Sequence, residues 1–147
     1  MKFLALVVAA AVLAAPAIAH PGGHEDEYYR PAPRAMAPTA TVIPDTYPGV
    51  VAALRDALTG AETALTAYKI ADLHRHCRVM TDLAMAVLPR SGLLTAAEQT
   101  TVASTVAHLQ TKLTELVAAA DKGDSAGAKA AAVGIRADVD VLGGFAK

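Results

Sequence analysis

Residues 71–89 read ADLHRHCRVMTDLAMAVLP, and their apolar side chains recur every three or four positions. At 100° per residue this spacing is typical of a helix with one buried face. The expected core face carries Leu73, Cys77, Met80, Ala84 and Val87, with His76 and Leu83 beside it. Pro89 lacks the backbone N–H that a continuing helix needs, so the helix is expected to end there after Leu88.

The same three- and four-residue spacing recurs on both sides of this stretch. It predicts a helix that begins near Asp45 or Thr46, with Pro48 in its first turn. Its apolar stripe is Val51, Leu54, Leu58, Ala61, Leu65 and Tyr68. Two interpretations of residues 69–71 stay open: a tight turn, with Asp72 capping the next helix, or a bend within one longer helix.

Two further helices follow residue 92. Thr95 and Glu98 form a capping box, in which the two side chains satisfy each other's backbone N–H groups. The stripe of this third helix is Val102, Val106, Leu109, Leu113, Leu116 and Ala120, and the segment DKGD at 121–124 ends it and supplies the cap of the next helix. The fourth helix carries Ala128, Ala131, Ile135, Val139 and Leu142, and ends at Gly143 and Gly144.

Four helices with short connections make an all-α fold the expected class. The economical arrangement is an antiparallel up-down-up-down four-helix bundle, which we expect to span residues 45–147. The absence of Trp and an aromatic content of 4% suit helices packed closely on Ala, Leu and Val side chains.

The first nineteen residues, MKFLALVVAAAVLAAPAIA, have the features of a cleaved signal peptide. Lys2 precedes an apolar run from Phe3 to Ala15, and Ala17-Ile18-Ala19 is an A-x-A cleavage site. The run is shorter than the roughly 20 residues that a membrane span requires. We therefore expect a periplasmic or secreted protein, with no membrane span in the mature chain.

Residues 20–44 are expected to be a disordered tether that is rich in His, acidic residues and Pro. They open with HPGGHEDEYY, and prolines follow at positions 31, 33, 38 and 44. Proline-rich segments adopt extended conformations and build no core of their own. The predicted organisation is thus a signal peptide (1–19), a flexible segment (20–44) and a helical domain (45–147).

Composition and motifs exclude several functions. A net charge of −1 with scattered Lys and Arg does not form a nucleic-acid footprint. No catalytic signature is present: Cys77 shares one helix with His74 and His76, and no oxyanion-hole element accompanies them. We therefore expect no enzyme. The C-x-x-C-H haem motif and the Glu-x-x-His pairs of di-iron bundles are also missing, which leaves non-covalent haem as an alternative without a supporting motif.

Four side chains on the second helix predict a metal site: His74, His76, Cys77 and Met80. Imidazole, thiolate and thioether together are the ligand set favoured by copper(I), and the first two also suit zinc. The alternative is ordinary packing, in which Cys77 and Met80 fill the core and the two histidines flank it, half-exposed.

A second candidate metal site lies at the expected mature N-terminus. After cleavage, His20 would present its α-amine and imidazole together, with His24 four residues further on. These nitrogen donors suit copper(II). The alternative is an acidic tail that serves only solubility and export.

The sequence therefore supports two functional hypotheses. The first is an exported helical bundle that binds or buffers a transition metal, with copper as the first choice. The second is a non-enzymatic structural or interaction module of the cell envelope, whose partner is a second copy of the chain or an envelope protein. One bundle fold is compatible with both.

Overall fold

The computed structural model describes residues 40–146, which form four α-helices and no strand. Helix α1 spans Tyr47–Thr66, α2 Ile70–Val87, α3 Ala96–Asp121 and α4 Ser125–Gly144, and a 3-10 turn at Leu88–Arg90 follows α2. The expected all-α, four-helix fold is confirmed. The predicted signal peptide and most of the predicted tether, including His20 and His24, lie outside the described residues.

Side chains cap three of the four helices where the sequence indicated their starts. The Thr46 hydroxyl accepts a hydrogen bond from the Gly49 backbone at 3.2 Å, and Pro48 lies in the first turn of α1. Thr95 and Glu98 form the predicted capping box of α3. The Asp124 carboxylate accepts from the Gly127 backbone at 2.9 Å and begins α4. These caps satisfy N–H groups that lack a partner within the helix.

Helices α1 and α2 are separated by a turn, as the first of the two interpretations predicted, but it lies at residues 67–69, and residues 70 and 71 already belong to α2. Tyr68 has a φ of +54°, a left-handed conformation that a continuous helix excludes. Because α1 ends at Thr66, Tyr68 falls outside its periodicity and is 78% exposed, so its placement in the core stripe was wrong. The suggested Asp72 cap was also wrong, since Asp72 lies within the first turn of α2 and Lys69 occupies the cap position.

The other stripe residues are buried as expected, and only Leu65 of α1 remains half-exposed. Each helix packs against the next one along the chain, and α4 also packs against α1. The fully buried large side chains include Leu54, Leu73, Leu109, Ile135 and Leu142. Burying each such side chain stabilises the fold by roughly 1.5–3 kcal/mol relative to leaving it in water.

Two polar contacts join α1 to α4. The Tyr47 hydroxyl donates to the carbonyl oxygen of Leu142 at 2.9 Å, and burial raises the pKa of this phenol. Nearer the other end of α1, the Arg136 guanidinium donates to Glu62, with Nε 3.1 Å from Oε1. Within residues 40–146, no helix is long and apolar enough to cross a membrane.

Candidate functional site

The orientation of α2 about its own axis decides where the predicted metal ligands point. Cys77 is 3% exposed and Met80 is fully buried, so both face the core. His74 and His76 are two positions apart, which is about 200° of rotation, and residues at this spacing do not face each other. The two imidazoles therefore lie on opposite flanks of the buried stripe. This arrangement matches the packing interpretation of the four residues.

Met80 lies among the core side chains, with no exposed surface. A thioether in this position fills space between helices, which is the usual role of buried methionine. In this conformation it offers no ligand atom to the surface of α2.

His76 packs against α1 at Gly60. A Cβ added to Gly60 would lie 2.6 Å from Nδ1 and 2.8 Å from Nε2 of His76, so only glycine leaves room for the ring. Close packing against His76 therefore explains why residue 60 is glycine, although a glycine inside a helix lowers stability by about 1 kcal/mol relative to alanine. Among the described residues, neither ring nitrogen of His76 has a hydrogen-bond partner.

His74 points to the opposite neighbour, α3. Its Nε2 lies 2.8 Å from Oδ1 of Asp121, the last residue of α3. The side chains of His74 and Asp121 are 44% and 50% exposed. This contact joins α2 to the end of α3. The other ring nitrogen of His74, Nδ1, takes no part in it.

His74, Cys77 and Asp121 line one surface groove of about 490 Å³, which we name the α2–α3 groove. Leu113 and Val117 of α3 form its apolar wall. Two of the predicted ligands, His74 and Cys77, thus line the same groove as Asp121, a carboxylate from a neighbouring helix. It does not bring His76 or Met80 to this groove.

Cys77 is a protonated thiol at neutral pH. Burial raises its pKa from the ordinary value of 9.0 to about 11, because the thiolate is poorly solvated between the helices. A thiolate nucleophile would need the opposite shift. The geometry therefore fits a packing residue that becomes a ligand only if a metal displaces its proton.

Sequence reasoning missed the roles of two aspartates. Asp121 was assigned only to the end of the third helix. Asp138 is buried and accepts from Nδ1 of His108 through both oxygens, at 2.8 and 2.9 Å. The sequence did contain a signal that Asp138 is buried. Asp138 lies three residues after Ile135 and four before Leu142, so it shares their core-facing side of the helix. A carboxylate at such a position requires a partner.

Within residues 40–146, no three or more His, Cys, Asp and Glu side chains are already grouped to hold a metal ion. The α2–α3 groove contains an adjacent imidazole–carboxylate pair, with a thiol in the same lining. Comparison of the chain with protein-family models, curated proteins and solved structures finds no match.

The Gly60–His76 contact can be tested by a double-mutant cycle. Gly60→Ala should destabilise the protein by about 1–3 kcal/mol, because the added methyl group overlaps the imidazole of His76. In a His76→Ala background, the same change should stabilise it by about 0.5–1 kcal/mol through helix propensity. Urea denaturation of the four proteins measures both values. A stabilising Gly60→Ala change in the presence of His76 would contradict the packing described.

The buried thiol predicts a pH-dependent contribution to stability. Above pH 9 the unfolded chain loses the Cys77 proton while the folded chain retains it until about pH 11. The unfolded state then binds fewer protons, so the free energy of unfolding falls as the pH rises. The difference in free energy of unfolding between wild type and Cys77→Ala should be constant below pH 8 and decline from pH 9 to 11. A flat difference would show that Cys77 is not buried as described.

Proposed function

We propose that this chain is an exported up-down-up-down four-helix bundle that binds a transition metal, with copper as the first choice. The features of residues 1–19 support export. The contacts of each helix with its sequence neighbour, and the short connections between them, support the bundle topology.

The single observation that carries the metal proposal is the His74–Asp121 pair in the groove that also contains Cys77. An imidazole nitrogen and a carboxylate oxygen 2.8 Å apart are two first-row metal ligands in near-contact. Around a tetrahedral ion with bonds of about 2.1 Å, neighbouring donor atoms lie roughly 3.4 Å apart. The pair must therefore widen by roughly 0.6 Å to admit an ion.

Cys77 would complete a three-ligand set, because it lies three residues after His74 on the same side of α2. Metal binding would displace the thiol proton, since a coordinated thiol is deprotonated. In this proposal His76 and Met80 are packing residues and leave the ligand set, while Asp121 enters it. Without the thioether, the thiolate and imidazole still suit copper, and together with the carboxylate they also suit zinc. His20 and His24 constitute a separate proposed copper(II) site at the mature N-terminus.

Metal titration of the mature full-length chain tests the proposal. The background variant His20→Ala/His24→Ala removes the imidazoles of the proposed N-terminal site. In this background, anaerobic copper(I) titration against a chromophoric chelator should give one bound equivalent. His74→Ala and Cys77→Ser should each weaken copper(I) binding by at least roughly 10- to 100-fold. Asp121→Asn should weaken it less, because a carboxylate oxygen is a harder donor than copper(I) prefers. Cobalt(II) should produce a thiolate charge-transfer band that Cys77→Ser abolishes.

His108→Ala is the matched control. His108 is also a half-exposed histidine paired with an aspartate, but no cysteine of the described chain lies in a groove beside it. Its replacement should leave copper affinity unchanged. Equal affinities of wild type, His74→Ala and Cys77→Ser would refute the α2–α3 site.

A second candidate function, that of an interaction module, is favoured by exposed apolar side chains in the last turn of α2 and just after it. Met85 is 58% exposed, Leu88 is also exposed, and Leu93 is fully exposed. These three residues, which we name the apolar patch, lie within nine positions of one another in the chain. Neighbouring exposed apolar side chains mark interaction surfaces more often than isolated ones do.

Self-association through the apolar patch is the simplest form of this second function. Sedimentation velocity should then give a sedimentation coefficient that rises with protein concentration, and Met85→Ser/Leu93→Ser should abolish the rise. Val133→Ser is the control, because Val133 is an exposed apolar residue of α4 outside the patch. A coefficient that is independent of concentration, or a rise that the double substitution leaves unchanged, would exclude a homo-oligomer at this surface.

A further inference from the structure

A second groove runs along α2 on the side that faces α1, and His74 and Arg78 line both this groove and the α2–α3 groove. Residues from α1 and α2 line it, together with residues 40–42, and it measures about 710 Å³. We name it the α1–α2 groove. Sites for small molecules typically occupy about 300–1,000 Å³, so this groove has the size of a ligand site and greatly exceeds that of a single ion.

The extended segment before α1 borders the groove and is held in place. The Thr41 hydroxyl donates to Oδ2 of Asp82 at 2.6 Å, which fastens the segment to α2. Val42 lines the groove but is 89% exposed, so its side chain is available to a ligand. The Thr41–Asp82 hydrogen bond therefore keeps Val42 at the edge of the groove and gives the groove a defined boundary.

The floor of the groove is apolar and consists of small or branched side chains. Ala53 and Ala57 belong to α1, and Val79 and Leu83 belong to α2. The two alanines leave room that a longer side chain would occupy. This surface suits a short hydrocarbon chain or a ring.

The polar lining contains more positive than negative side chains. Arg78 has no ion-pair or hydrogen-bond partner among the described residues, and Arg75 makes one exposed pair with Asp72 at 3.1 Å. His76 also lines the groove, with both ring nitrogens unpartnered in the described chain. Asp56 is the single carboxylate among the described lining residues. This excess of hydrogen-bond donors favours a ligand that brings negative charge and acceptors.

We propose that the α1–α2 groove binds a small amphipathic anion, namely a carboxylate that carries a short apolar tail. The carboxylate accepts hydrogen bonds from Arg78, and the tail lies on the apolar floor at Ala53 and Val79. Bound ligand covers part of the His76 ring, which Gly60 holds in the groove. The proposal does not depend on metal binding, because none of its contacts uses the proposed metal ligands His74, Cys77 and Asp121; His74 lines both grooves.

Isothermal titration calorimetry with octanoate tests the proposal on the mature full-length chain. Octanoate should bind with a stoichiometry of one. Acetate lacks the tail and octan-1-ol lacks the charge, so each should bind at least tenfold more weakly. Arg78→Gln should weaken octanoate binding by roughly tenfold, the size of a lost charge-assisted hydrogen bond. Lys129→Gln is the control, because Lys129 is an exposed cation of α4 outside the groove.

Ala53→Phe provides a second test, since a ring at this half-buried position fills the groove. It should abolish octanoate binding while its unfolding transition stays cooperative. The proposal is overturned if octanoate fails to bind, or if Arg78→Gln and Ala53→Phe bind it like wild type. It is equally overturned if acetate or octan-1-ol binds as tightly as octanoate. Copper titration of the same variants reports separately on the metal proposal.

Discussion

Burial of one face of α2 is the constraint on which the candidate sites depend. Leu73, Cys77 and Met80 must face the core, since exposing them would forfeit the hydrophobic stabilisation that holds the helices together. Once that face is set, every other residue of α2 has a determined direction. His74 and His76 are separated by about 200° and must meet different neighbours. The predicted ligand cluster, compact in the sequence, is thereby divided. Met80 lies in the core, Cys77 lines the α2–α3 groove, His76 lines the α1–α2 groove, and His74 lines both.

Close packing of α1 against α2 adds a second constraint. At Gly60 the backbone of α1 comes so near to the imidazole of His76 that a methyl group would overlap it. On the other flank, His74 makes its contact with Asp121 at the end of α3. The imidazoles of His74 and His76 are thus positioned by contacts with neighbouring helices, near the surface. The buried apolar stripes provide most of the stability.

Local features of the sequence predicted most of the secondary structure. The caps at Thr46 and Thr95 depend on contacts between residues three apart, which the sequence displays directly. The buried stripes of α3 and α4 follow from helical periodicity alone. The exception was Tyr68: the stripe was extended past the end of α1, and neither Gly nor Pro marks the left-handed residue that ends it.

The candidate site was only partly predictable. Helical spacing correctly placed Cys77 and Met80 in the core. It could not supply Asp121, which is 47 residues from His74 along the chain. The pairing of His108 with Asp138 was hidden for the same reason, since the partners belong to different helices.

The sequence by itself determined the helical elements, three of their four N-terminal caps and most of the residues that each helix buries, because these depend on neighbours within one or two turns. Tertiary structure alone decided which imidazole meets which carboxylate, why Gly60 is glycine and where the two grooves along α2 lie. These features depend on how the helices are rotated and spaced relative to one another. That arrangement results from packing the whole core together, and no single segment encodes it.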